Sequence, residues 1–386
     1  MRRVSIVGVS ASGKSTLARE IAKLNQAPVV ELDAIHWQAG WQPRTPEEFR
    51  ALTLPQLEGP SWIVDGNYSA VRADVWRRAD TIIWLHIPFW QNLWSVIRRT
   101  GLRLFTREKL WADNRESFLM QLTKDSIIRW VWTTHRPYEE RYRKAFREMA
   151  LREESPRHLT LKGRDQARVF LETIARTPGH TVPERVLVYP VRFGKNGEAE
   201  ILVFRNAKTG LVEVMSEMRT EDEDPRNVAQ REFRLDGWTL SEGHPRRFAT
   251  RSAVVRVPRP PAELAVAEGS DRTMKSLRAI GASPRLRPEF RFHHAYWAHI
   301  HGAPERLNAR LTDANGVPQE SMLFWMSLEK AAKTMTKTAK DFLPELKMAL
   351  DDYRNSGASL ESAPVEKPAS NLISSPDASS PPEAGL

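Results

Sequence analysis

Glycines at positions 8 and 13 bracket four residues, and Lys14, Ser15 and Thr16 follow directly, giving Gly8-Val9-Ser10-Ala11-Ser12-Gly13-Lys14-Ser15-Thr16. In the spacing G-x-x-x-x-G-K-[ST] the glycines let the backbone curl until successive N–H groups point inward, at the oxygens of a phosphate. Lys14 would then reach the β- and γ-phosphates as a flexible point charge. Ser15 would offer its hydroxyl to Mg2+, and a helix opening there would turn its positive end toward the anion. The flanks suit that role: residues 4–7 read as a strand, and Leu17, Ile21 and Leu24 recur at helical spacing. Gly8, Ser10, Ala11, Ser12, Gly13, Lys14, Ser15 and Thr16 are therefore the expected nucleotide contacts, with ATP and Mg2+ as the expected cofactors.

A loop of this kind needs a sheet to hold it, and the chain up to about Arg176 supplies one. Short β-rich runs at 4–7, 28–32, 62–64, 81–87 and 158–161 alternate with helix-like stretches, which predicts an α/β fold with a parallel sheet covered on both faces. Thr45-Pro46-Glu47-Glu48 marks a helix start, with Thr45 as cap, Pro46 in the first helical position and Glu48 reaching back. Ala167, Phe170, Leu171 and Ile174 form one apolar helix face that can dock on the sheet. Two prolines and a glycine then make 177–184 a predicted linker between two domains, 1–176 and 185–350.

Beyond the linker, runs at 186–189 and 200–204 flank Lys195-Asn196-Gly197 and read as a hairpin. Extended segments are expected at 253–257 and 290–299, and a helix-like stretch from about Ser321 to Leu350. Residues 351–386 are dominated by Ser, Pro, Ala and Glu, so a disordered tail is expected there. No internal repeat is visible.

The 386 residues suffice for two ordinary cores. No apolar run is long enough to cross a bilayer, and the chain enters a strand after Arg2 and Arg3 instead of an apolar leader, so a cytoplasmic protein without a membrane partner is expected. The absence of cysteine excludes disulfides, thiolate zinc sites and cysteine nucleophiles. A formal charge of +10 favours acidic partners such as nucleotides and leaves nucleic acid as a lesser option.

Five ordered motifs carry a family resemblance across 1–176. They are Ile6 to Thr16 with Leu17-Ala18-Arg19; Leu32-Asp33-Ala34-Ile35-His36-Trp37 with Gly40-Trp41; Trp62-Ile63-Val64-Asp65-Gly66-Asn67-Tyr68; Arg78-Ala79-Asp80-Thr81; and Asn114-Arg115-Glu116-Ser117. Together they resemble the adenylate-kinase-like P-loop NTPases of the DNA topology modulation type. The resemblance implies a kinase that transfers the γ-phosphoryl of ATP to a small-molecule acceptor, a nucleotide or nucleoside. Asp65, at the end of an apolar strand, is similar to a Walker B carboxylate and would hold Mg2+ through water beside Ser15. Asp33 ends the second strand, where such kinases place a residue facing the acceptor; it could bind the acceptor hydroxyl, act as its base or assist the metal. His36, Trp37, Asn67 and Tyr68 would line the acceptor pocket, although an aromatic beside a strand end is as often plain core. Between positions 98 and 115 lie Arg98, Arg99, Arg103, Arg107, Lys109 and Arg115, in a place that is a lid in related kinases. Of these, Arg99, Arg103 and Arg115 would neutralise charge on the transferring phosphoryl; the alternative is a solvated basic helix.

Residues from about 185 to 328 resemble a Nudix-like fold whose signature helix has decayed. Aligning Arg231-Glu232-Phe233 with the family's R-E-U segment puts Glu223 at the upstream glutamate, with Asp222-Glu223-Asp224-Pro225 entering a helix. Glu217 stands where the family has a glycine, and Leu235-Asp236 replaces its E-E pair, so the metal binding that pyrophosphate hydrolysis needs should be severely weakened. Phe290-Arg291-Phe292-His293-His294 and Leu323-Phe324-Trp325 resemble late strands of that fold. His293, His294, His299 and His301 would be split between faces by strand alternation, and read as ordinary histidines. Two other functions stay open: a nucleotide-gated regulator of DNA or of a partner, and a Nudix hydrolase of nucleoside diphosphate-linked substrates.

Overall fold

The structure, a computed structural model, describes residues 1–106, 110–114, 127–152, 155–194, 196–206, 210–219, 223–233, 239–240, 244–258, 286–301, 304–312 and 318–356. Five strands, β1 (Arg3–Val7), β2 (Val29–Glu31), β5 (Trp62–Asp65), β6 (Thr81–His86) and β7 (Arg157–Lys162), form one parallel sheet in the order β2-β5-β1-β6-β7. Between β2 and β5 lies a short ribbon, β3 (Trp37–Gln38) and β4 (Gln42–Pro43). The strands read as near-continuous apolar runs because both faces are covered. Val4, Ile6, Ile63 and Ile83 pack beneath α1 (Lys14–Asn25) and α7 (Gly163–Arg176). Val7, Val64, Ile82 and Trp84 pack on the other face with Phe49 of α3 (Pro46–Thr53) and Tyr142 of α6 (Ile127–Leu151). Helices α2 (Leu32–His36), α4 (Ser69–Arg78) and α5 (Phe89–Thr106) complete this half. The capping box at Thr45 and Glu48 forms as its residue types predict.

The second half is a nine-stranded mixed sheet with the path β12 (Thr239–Leu240), β14 (Leu286–His301), β8 (Glu184–Phe193), β9 (Ala199–Arg205), β16 (Pro318–Ser327), β15 (Arg306–Thr312). Three further strands hang off it: β10 (Val212–Glu213), β11 (Ser216–Arg219) and β13 (Arg246–Pro258). One face is covered by α8 (Pro225–Glu232), through Val228 and Ala229. The other face takes α9 (Leu328–Thr334), α10 (Lys337–Lys340) and α11 (Leu343–Asn355).

Three expectations change here. The helix expected from Ser321 begins only after Ser327, whose side chain caps α9 by accepting from the Lys330 N–H. Upstream, Ser321 and Leu323 are buried while Glu320 and Met322 are exposed, a period of two that makes 318–327 a strand and places Leu323-Phe324-Trp325 in it. The tail expected from 351 is helical to Asn355, because Leu343, Leu346, Leu350 and Tyr353 keep one buried stripe; residues 357–386 lie outside the described ones. The segment expected to link the halves is packed: Pro178–His180 forms a tight turn, Val182 is buried in the first sheet's core, and Glu184 opens β8.

The halves share a seam. β7 is an edge strand, and the Ser252 hydroxyl of β13 both accepts from the Thr160 N–H (3.0 Å) and donates to the Thr160 carbonyl (2.9 Å). Phe290 and Phe292 insert into the first sheet's core, and the Phe290 N–H donates to Thr173 Oγ1 at 2.9 Å. Glu184, buried, meets Arg157 of β7, Arg219 of β11 and His294 of β14. Burial alone would push its carboxyl up, but the His294 hydrogen bond and the two guanidiniums hold it well below the usual range. No described helix is long and apolar enough to cross a membrane.

Burial lowers the pKa of two histidines, His158 at the seam to about 4 and His293 of β14 to about 3, against 6.5 in the unfolded chain. The unfolded state therefore takes up protons first. The contribution of these neutral rings is complete above pH 6.5 and declines as the pH falls toward their folded values. Urea melts should lose about 2 kcal/mol per ring between pH 7.5 and pH 5, and replacing either ring by Asn should flatten that slope.

Candidate functional site

The loop between β1 and α1 is built by conformations that few residues tolerate. Gly8 has φ +153°, and a Cβ there would stand 2.7 Å from the Leu85 carbonyl oxygen of β6. Gly13, at φ +104°, is the N-cap of α1 and supplies no side-chain cap, so the first-turn amides face the loop's concavity. The Ser12 N–H donates to the Val9 carbonyl at 3.3 Å, and Lys14 Nζ bends back to the same carbonyl at 3.0 Å. Arg99 of α5, 89 positions away in sequence, donates through Nη2 to Ser10 Oγ at 2.9 Å. Ser15 and Thr16 are exposed beside the loop, Ala11 is half-buried with φ 57°, and Ser12 is buried.

β1 is the central strand, and carboxylates gather at the C-terminal ends of its neighbours. Asp65 closes β5, beside β1; Glu31, paired in register with Asp65, closes β2; Asp33 follows in α2. Burial raises the Asp65 pKa, and Asp33 and Glu31 add to the rise, while Lys14 and a hydrogen bond from Ser15 pull against it. Asp65 Oδ1 is buried without a hydrogen-bond partner. A desolvated carboxylate with an orphaned oxygen beside a hydroxyl and a lysine suits a hard divalent cation, so these residues fit Mg2+. Among the described residues no group of three or more His, Asp or Glu could cage a metal. A cation here would thus rely on phosphate oxygens and water for its other ligands.

The acceptor-side residues come together. The Tyr68 hydroxyl donates to Asp33 Oδ1, and burial, with Asp33 beside it, pushes the phenol well above its ordinary pKa. The His36 ring lies 4.5 Å from Tyr68 and 4.8 Å from Trp37, and burial lowers its pKa although Asp33 opposes that. Asn67 donates to the Tyr142 hydroxyl and accepts from Arg72 Nε at 2.7 Å. Asn67 thus braces α4 and α6 beside Tyr68.

Four residues of this wall were not singled out from sequence. Asn114 donates to the Gln38 carbonyl at 2.8 Å and accepts from the Trp41 N–H at 3.0 Å, which clamps 110–114 on the β3–β4 ribbon. Trp111 Nε1 donates to Glu31 Oε2 at 3.4 Å. Trp41 and Asn114 belong to the motifs that carry the family resemblance, without a role assigned there; nothing local marked Glu31 or Trp111 as residues of this wall. Arg103 sits one turn beyond Arg99 on α5, half-buried, and Arg98 is exposed. Arg107, Lys109 and Arg115 lie outside the described residues.

In the second sheet, Asp224 caps α8 by accepting from the Arg226 N–H at 2.7 Å, with Pro225 in the first turn, as expected for a helix entered there. At its far end Arg231 bridges Glu217 and Glu223, at 2.7 and 2.5 Å. Burial and the neighbouring Glu217 push the Glu232 carboxyl up to about 7. Carboxylates neutralised by a guanidinium and by a retained proton make poor cation ligands. Leu235 and Asp236 lie outside the described residues. His294 is engaged by Glu184, and His299 stacks edge-on against Phe193 and Tyr353.

No protein-family model matches the chain, and no curated protein matches it. Among solved structures, similarity is found to the shikimate kinase of Bacteroides thetaiotaomicron: 15% identity, 44% of this chain and 94% of that one, TM-score 0.28. A gluconokinase from Sinorhizobium meliloti gives 17% identity, 45% and 93% coverage, and TM-score 0.25. The Ap4A hydrolase of C. elegans gives 13% identity, 44% and 99%, and TM-score 0.25. Kinases and Nudix-type hydrolases thus both stand among the structural neighbours, at low identity and low score; the functional reading rests on this chain's own residues.

Gly8→Ala should cost on the order of 2 kcal/mol in thermal or urea melts, since the new Cβ meets a backbone carbonyl that cannot rotate away. The same variant should lose the stabilisation that MgATP gives the wild-type chain, read as the difference in Tm with and without nucleotide.

Proposed function

We propose that this chain is an ATP-dependent phosphotransferase, with residues 1–176 as its kinase unit. The observation that supports it most is the convergence of Lys14, Ser15 and buried Asp65, which closes the strand beside β1, at the loop between β1 and α1. Loop amides of Gly8 to Thr16 and the Lys14 ammonium would hold the triphosphate, and Arg99, already at Ser10, would meet charge that develops on the γ-phosphoryl. Ser15, and Asp65 through water, would hold Mg2+, whose positive charge would offset that of the phosphates. Asp33 would orient the acceptor hydroxyl and take its proton, positioned for this by the Tyr68 hydroxyl. Arg103 and Arg115 complete the proposed lid, and His36, Trp37, Asn67 and Tyr68 line the acceptor side. Residues 185–350 form, in this reading, a Nudix-like module that binds without hydrolysing; the Arg231 clamp on Glu217 and Glu223 favours that role.

A second reading, a nucleotide-gated regulator, has one observation in its favour: the edge of the nucleotide-binding sheet is sealed by Ser252 of the other half, so movement of β7 would reach the second sheet directly.

Lys14→Ala should reduce Mg2+-dependent phosphoryl transfer on the order of 100-fold or more with an unchanged Tm. Products are read by mass spectrometry over a panel of acceptors; undiminished turnover would overturn the kinase reading. ATP binding without any phosphorylated product would favour the regulator.

A further inference from the structure

The acceptor side of the site differs in charge from the donor side. Cationic groups, Lys14 and Arg99, stand at the loop. Across the strand ends, Glu31 and Asp33 stand close enough to Asp65 to raise its pKa. Around these carboxylates are half-buried aromatic rings: Trp37 packs on Trp41 with centroids 5.6 Å apart, Tyr68 holds Asp33, and Trp111 reaches Glu31. Among the described arginines, Arg44 donates through Nε to the Ile35 carbonyl at 2.8 Å and Arg72 to Asn67 Oδ1 at 2.7 Å, neither to Glu31 or Asp33.

We propose, resting on the kinase reading, that the phosphoryl acceptor is an alcohol without negative charge and with a flat or cationic face. A nucleoside or an amino-bearing polyol fits; a nucleoside monophosphate or a sugar acid does not. An anionic acceptor would bring a further negative charge against Glu31 and Asp33, whereas an uncharged or cationic one would not. A neutral base can lie against the indoles, and an ammonium gains from both the ring faces and the carboxylates. Glu31 is the residue assigned to this selection. It closes β2 in register with Asp65, and its Oε2 accepts from Trp111, which places its half-buried carboxylate beside the Asp65 strand end.

The test uses the full chain with MgATP and matched acceptor pairs: uridine with UMP, adenosine with AMP, and glucosamine with gluconate. Turnover is followed by mass spectrometry, and binding by calorimetry with a non-hydrolysable ATP analogue present. The uncharged or cationic member of at least one pair should be preferred by about 100-fold, a discrimination that a like charge within a few ångströms imposes at an effective dielectric of about 20. Glu31→Gln should narrow that preference by about tenfold with an unchanged Tm. Nucleosides accepted with glucosamine inert would assign the indoles to a base, and the reverse would assign the carboxylates to an ammonium. Equal or better use of UMP, AMP or gluconate would overturn the proposal and leave the kinase reading standing. Selective binding of the uncharged partner without turnover would overturn the kinase reading and leave the charge assignment standing. No acceptor bound at millimolar concentration would overturn the proposal.

Discussion

Everything at the candidate site depends on one electrostatic compromise, the burial of the Asp65 carboxylate within reach of Lys14 and Ser15. Burial makes the negative charge expensive, and two further carboxylates at neighbouring strand ends make it more so. A lysine and a hydroxyl on the first turn of α1 offset part of that cost, and α1 can hold them there because Gly8 and Gly13 let the preceding loop fold back under its N-terminus. The parallel sheet with β1 at its centre is what allows this. Only in that order do the ends of β2, β5 and β1 bring Glu31, Asp65 and the loop to one edge.

The two halves of the chain act as one packed body along β7 and β13. An exposed edge strand would leave the Thr160 amide and carbonyl open to other chains, and one serine hydroxyl satisfies both. Phe290 and Phe292 add apolar burial to the same seam, and the Glu184 cluster fixes its register with charges that are costly to leave unpaired. The second sheet therefore adjoins the strand two positions from the nucleotide loop instead of hanging from a tether.

In that sheet the carboxylates around α8 are engaged with one another and with a guanidinium. Arg231 fills the position between Glu217 and Glu223, and Glu232 sits where a proton is retained near neutrality. α8 is held by its cap at Asp224 and by its buried Val228 and Ala229.

The loop between β1 and α1 was legible in the sequence because its chemistry is contiguous: nine residues fix the backbone turns, the lysine and the hydroxyl without reference to anything distant. The alternation of strands and helices, the capping box at Thr45 and the strand-end position of Asp65 were legible for the same reason, since each is set by residues within a few positions. The acceptor wall was only partly so. Asp33, His36, Trp37 and Tyr68 stand in local motifs, but Glu31 and Trp111 meet across 80 positions, and Asn114 reaches Trp41 across 73. The strand at 318–327 was hidden under a helical pattern because pairing with β9 and β15 imposes its period from outside the segment. The seam was invisible for the most general reason. Thr160 and Ser252 lie 92 positions apart, and a threonine and a serine become partners only when the packing of two cores brings an open strand edge to a hydroxyl.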